Sequence, residues 1–120
     1  MNSEQARSLK KGSIIQKDGS GGDVSVVIAI EPQGVVVQKV ICWGARDGYD
    51  PLEWDPHVMK FDNGDFSGYT IAHPISVDGW FSRSDVQLGY NIQRAYRKDW
   101  RAILRQRELQ LAKYERERGR

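Results

Sequence analysis

Val24-Ser25-Val26-Val27-Ile28-Ala29-Ile30, then Glu31-Pro32-Gln33-Gly34, then Val35-Val36-Val37-Gln38-Lys39-Val40-Ile41 is the stretch on which the fold turns. Both flanks are dense in β-branched residues, whose stiff χ1 suits a pleated surface better than a helix. Between them, proline supplies a φ near −65° and glycine a residue tolerant of left-handed backbone, which is the chemistry of a tight turn. The reading is an antiparallel hairpin at the centre of a sheet.

Working upstream, Gly12 opens Ser13-Ile14-Ile15-Gln16, a short strand. The turn-formers Asp18-Gly19-Ser20-Gly21-Gly22-Asp23 then lead into the hairpin. Residues 1–9 are polar without a clear period, which predicts a flexible arm or a single helical turn. Downstream, residues 42–56 fit no period, and 43–57 reads as a long acidic loop carrying Trp43, Tyr49 and Trp54. Val58-Met59-Lys60-Phe61-Asp62 and Asp65-Phe66-Ser67-Gly68-Tyr69 flank Asn63-Gly64, the favoured pair for a two-residue hairpin turn. That register predicts Phe61 facing Phe66 across two paired strands. Thr70-Ile71-Ala72 extends the second of them, Ile75 to Val77 with Trp80-Phe81 offers another, and Ser84-Asp85-Val86-Gln87-Leu88 is expected to close the sheet.

From Asn91 the period changes. Ile92, Tyr96, Trp100, Ile103 or Leu104, Leu111 and Tyr114 step by three or four with no proline or glycine until Gly119, predicting one basic amphipathic helix over 91–118. Arg107 stands where that apolar stripe calls for another hydrophobe. The fold class is therefore α+β: a small curled antiparallel β-sheet or SH3-like barrel of five to six strands in a body over 12–88, followed by a long C-terminal helix. The SH3-like layout (a leading Lys11-Gly12 strand, two hairpins, a late Trp-Phe strand) is a likeness of spacing without a diagnostic motif.

The length of 120 residues predicts a single domain over 1–120, and 39% apolar with 28% charged residues belongs to ordinary globular chains. Cys42 is the sole cysteine, so an internal disulfide is excluded and a reducing compartment fits. No signal-like stretch opens the sequence and no apolar run is long enough to span a bilayer, so the expected location is cytoplasmic, without membrane contact.

The net charge of +2 conceals an asymmetry. Residues 43–80 hold 2 Lys or Arg against 7 acids, whereas 81–120 hold 11 against 5. Such a dipolar surface can steer a charged partner into one orientation. Two surfaces stand out. Arg94, Arg97, Lys98, Arg101 and Arg105 recur at helical steps around Tyr96 and Trp100, and guanidinium groups bind phosphates bidentately and stack on bases. Asp47, Tyr49, Asp50, Glu53, Trp54 and Asp55 mix carboxylates with aromatics, the composition of an interface hot spot or of a loop folded back as a lid on the barrel. A solvated charged face is the plainer account of the first surface.

Other chemistry is weakly represented. Asp18-Gly19-Ser20-Gly21-Gly22 lacks the Gly-Lys-Ser/Thr of a phosphate loop and joins strand to strand. Asp62-Asn63-Gly64-Asp65 lacks the spaced ligands of a calcium loop. His57, His73, Cys42 and Asp55 show no paired metal-ligand spacing, and neither a metal nor a cofactor is expected. No nucleophile–base motif is present, so the expectation is a non-enzymatic small binding protein. It would be an adaptor or inhibitor docking on a larger protein or nucleoprotein machine, in the style of a phage or mobile-element accessory factor. A nucleic-acid module contacting DNA or RNA through the Arg-rich helix is the alternative. A small-ligand binder or minor enzyme is the third reading, and homodimer formation through Leu104, Leu111 and Tyr114 is compatible with the stripe.

Overall fold

A computed structural model describes residues 1–18, 24–41, 55–72 and 85–119, with backbone alone at 41 and 85–88. Its elements are α1 (Ser3–Arg7), β1 (Ile14–Lys17), β2 (Val24–Glu31), β3 (Gly34–Ile41), β4 (His57–Lys60), β5 (Tyr69–Ala72), α2 (Asp85–Arg97) and α3 (Trp100–Arg118). The strands form one antiparallel sheet in the order β4-β3-β2-β1-β5. The predicted hairpin is its centre, with Val27 opposite Val37 and Glu31 opposite Gly34.

Burial along β2 and β3 is nearly continuous rather than alternating, because both faces of the sheet are covered. On one face Ile14, Val24, Val26, Ile28, Val36 and Val40 meet Ala95, with Ile92, Tyr96, Trp100 and Leu104 of the helices packed around them. On the other face Ile15, Val27, Val35, Val37 and Met59 meet Ala6 and Leu9 from the α1 end, together with Phe61 and Phe66. Each fully buried valine contributes about 1.5–3 kcal/mol by leaving water, so this central pair of strands is the main source of stability.

Residues 1–9 supply the helical turn α1. Asn2 caps it: its side chain accepts from the Gln5 N–H at 2.8 Å while Gln5 Oε1 accepts from the Asn2 N–H at 2.9 Å, a reciprocal capping box. Arg7 then forks onto Asp62, 2.9 Å to each carboxylate oxygen, and lies over the Phe61 ring. The guanidinium and the Ser3 hydroxyl hold the Asp62 carboxyl below its ordinary pKa.

The hairpin expected around Asn63-Gly64 is corrected. β4 pairs with β3 and β5 pairs with β1, so these strands lie at opposite ends of the strand order. Residues 61–68 instead form successive turns, with Gly64 and Gly68 at φ 73° and 80°. The Lys60 N–H donates to the Asp65 carboxylate at 2.8 Å, which turns the chain away before a second strand can pair. Five flat strands would place the outer two about 19 Å apart. The sheet is curled into a half-barrel, and residues 61–68 join its two outer strands. Phe61 and Phe66 still meet, with ring centroids 6.1 Å apart, but within the turn.

Two further expectations change. Asp85 to Leu88, read as closing the sheet, begin α2; four residues of apolar–polar alternation cannot separate a period of 2 from one of 3.6. The helical tract read as continuous over 91–118 divides at Lys98-Asp99. Asp99 leaves the helical region (φ −77°, ψ 80°) and its carboxylate accepts from the Ala102 N–H, capping α3. The expected strands at 75–77 and 80–81 lie outside the described residues.

Candidate binding surface

The helices are fixed to the sheet at its irregularities. The β2–β3 register shifts between Val24 and Ser25 and again between Val27 and Ala29, placing Val40 and Ile28 as the extra residues. Asn91 of α2 donates to the Val40 carbonyl at 2.9 Å, and the Tyr96 hydroxyl donates to the Val27 carbonyl at 3.1 Å. The same Val27 oxygen accepts from the Gly12 N–H at 2.8 Å. Burial raises the Tyr96 pKa above its ordinary value.

Between β3 and α2 this arrangement leaves a groove of about 260 Å³ lined by Gln38, Lys39, Val40, Asn91, Arg94, Ala95 and Lys98. Two members of the predicted basic face, Arg94 and Lys98, thus share a groove with a lysine from the sheet. Lys98 also reaches Asp55, with Nζ 3.9 Å from the carboxylate. Arg97 is exposed and outside the groove lining. Across the break, Arg101 stacks its guanidinium 4.4 Å from the Trp100 ring centroid, and Arg105 is exposed. The predicted face is therefore split between the groove, the outer side of α2 and the start of α3. Of the acidic aromatic surface, Asp55 is placed beside Lys98; Asp47, Tyr49, Asp50, Glu53 and Trp54 lie outside the described residues.

The start of α3 docks along the strap before β4. Arg107, the cation interrupting the apolar stripe, donates to the Pro56 carbonyl at 3.2 Å, which explains its position. Next to it His57 Nδ1 lies 3.3 Å from the Asp55 carbonyl oxygen. Burial lowers the His57 pKa, the Asp55 carbonyl opposes this, and the positive charges of Arg107 and Lys39 lower it further.

Beyond Arg107 the stripe continues with no buried position and, among the described residues, no core cluster beneath it. α3 has no buried residue, and Leu111 and Tyr114 of the stripe are each 59% exposed. Leu104, the inner end of the seam a homodimer would use, packs on the chain's own core. Charge changes along the helices as well: residues 94–107 carry six cations against Asp99, while 108–119 carry three of each sign. Gln38 and Lys39 carry no site reading in the sequence and Asn91 only that of a helix start; the polar Gln-Lys pair in a valine-rich strand is the available signal.

Among the described residues, no cluster of three His, Cys, Asp or Glu side chains is placed to hold a metal, and no helix is long and apolar enough to cross a membrane. No protein-family model matches the chain, and neither does any curated protein or solved structure.

Proposed function

We propose that this is a non-enzymatic binding protein, an adaptor or inhibitor, that docks on a larger protein or nucleoprotein assembly through the outer half of α3. One observation carries the reading: the stripe that seats Trp100 and Leu104 on the core runs on to Leu111 and Tyr114, where it is exposed. A helix end this short gains little from propensity alone, and most helical stability in proteins comes from packing an apolar face. Its balanced charges favour a protein groove of mixed charge over a phosphate backbone. Tyrosine and leucine at helical spacing are the anchors used when a helix lies in a groove.

The test is co-purification from cells of the source organism, with nuclease, using the wild-type chain and a Leu111→Glu/Tyr114→Glu variant. The expected result is a discrete protein that survives nuclease with wild type and disappears with the variant. Equal recovery by both would overturn docking through α3. The cationic stretch 94–107 favours a second reading, a nucleic-acid module, in which nuclease removes every partner and the α3 variant behaves as wild type.

A further inference from the structure

We infer that the groove between β3 and α2 is a phosphate site for a nucleic-acid backbone, with Arg94 and Lys98 on the helix side and Lys39 on the strand side. This deepens the nucleoprotein part of the reading above, and it stands or falls separately from docking through α3.

The groove volume of about 260 Å³ falls below the range of about 300–1,000 Å³ typical of small-molecule pockets. It suits a charged group better than a whole cofactor. Its lining brings together three cationic residues and two amides, Asn91 and Gln38, on a floor of Val40 and Ala95. Both walls are held, since β3 pairs with β2 at Gln38 and Lys39 and Asn91 ties α2 to the Val40 carbonyl. A preorganised wall loses little freedom on binding, which favours affinity. Lys98 already lies by one anion, the Asp55 carboxylate, at 3.9 Å, so an incoming phosphate would take over that cation rather than create a new arrangement.

A nucleic-acid chain, rather than an isolated phosphate or an acidic peptide, is favoured by what lies beyond the groove. Exposed Arg97, Arg101 and Arg105 extend the positive charge along the helices. Arg101 presents a guanidinium already stacked on Trp100, a planar surface against which a base can stack. A carboxylate-rich peptide has no use for such a plane.

The experiment is fluorescence anisotropy of a labelled mixed-sequence single-stranded 12-mer titrated with the full chain between 50 and 200 mM salt. Competitors are the same sequence as duplex, a mononucleotide, inorganic phosphate and a polyglutamate of matched length. Saturable binding is expected, with log affinity falling against log salt by roughly 0.7 per phosphate neutralised on a single strand. Arg94→Gln/Lys98→Gln should weaken it at least about tenfold and reduce the slope by about one to two. Lys39→Gln should act in the same direction. Lys10→Gln, beside Leu9 of the opposite core cluster, removes one charge as Lys39→Gln does and should have a much smaller effect than that change. Asp55→Asn should tighten binding more than Asp62→Asn, because only the first relieves Lys98. Thermal melts confirm that each variant is folded. Absence of saturable binding at 50 mM salt overturns the inference. So does a groove variant that binds like Lys10→Gln, or competition by polyglutamate, mononucleotide or inorganic phosphate equal to that by the unlabelled 12-mer.

Discussion

Two glycine-to-alanine changes test the packing from opposite directions. Gly34 opens β3 opposite Lys60, and a Cβ there would collide with the Met59 carbonyl oxygen and lie 3.0 Å from Lys60 Cα. Both obstacles are backbone, so no rotamer change relieves them. β4 would have to retreat by about 1 Å or more to regain van der Waals separation. The retreat breaks the end of the β3–β4 ladder and the bond from Phe61 N–H to the Gln33 carbonyl, and it loosens Met59 and Phe61 in their core cluster. A few hydrogen bonds at about 0.5–1.5 kcal/mol each, with partial exposure of two large side chains, give an expected loss of about 2–4 kcal/mol. A chain of this length has a total of about 6–18 kcal/mol. Gly89 of α2 has nothing within 4 Å of an added Cβ, so Gly89→Ala should stabilise by about 0.5–1 kcal/mol through helix propensity. Urea unfolding followed by far-UV circular dichroism and tryptophan fluorescence reads both. A Gly34→Ala protein within about 0.5 kcal/mol of wild type would refute the close β3–β4 approach. A destabilised Gly89→Ala would refute the open setting of α2 at that residue.

Tyr96→Phe should cost about 0.5–1.5 kcal/mol in urea unfolding, towards the lower end because the Val27 carbonyl keeps its bond from Gly12. Since burial raises the Tyr96 pKa, the hydroxyl's contribution is fully present below about pH 10 and is lost as pH rises through the folded value; Tyr96→Phe should remove that alkaline loss. The opposite sign applies to His57. With its pKa lowered by burial, the unfolded chain binds more protons, so stability is full above about pH 6.5 and falls as pH drops through the folded value. Urea midpoints between pH 5 and 7.5 should show a shallower acid decline for His57→Gln than for wild type. Hydrogen exchange should be fast at 110–118, where α3 buries nothing, and slowest in the buried β2–β3 pair; equal protection in both would contradict an uncovered α3.

The β2–β3 hairpin was legible because its evidence is local: β-branched runs around a Pro-Gln-Gly turn, without the polar alternation of a one-sided sheet. The helical stripe was legible for the same reason. What could not be read depended on residues distant in sequence. Asn63-Gly64 signals a turn but says nothing of where the flanking strands pair, and their partners proved to be β3 and β1. Asp99 occupies a position that either a helix surface or an N-cap can use, and only the backbone decides between them. The five basic residues share one face only on an unbroken helix, and the break at Asp99 separates them. The groove has no local signature, because Lys39 and Arg94 become neighbours only when α2 is tied to the β3 bulge.

A sheet sealed on both sides has a consequence for how this protein can change over generations. Most side chains of β2 and β3 are committed to an interior, so the middle of the molecule has few positions at which a new contact with the outside world can be tried without risking collapse. Innovation is pushed to the periphery: the flank of α2, the free length of α3 and the joint at Asp99 that aims it. Altering that joint would redirect a whole helix while leaving the valine centre untouched, so this architecture can keep its scaffold and change what it reaches for.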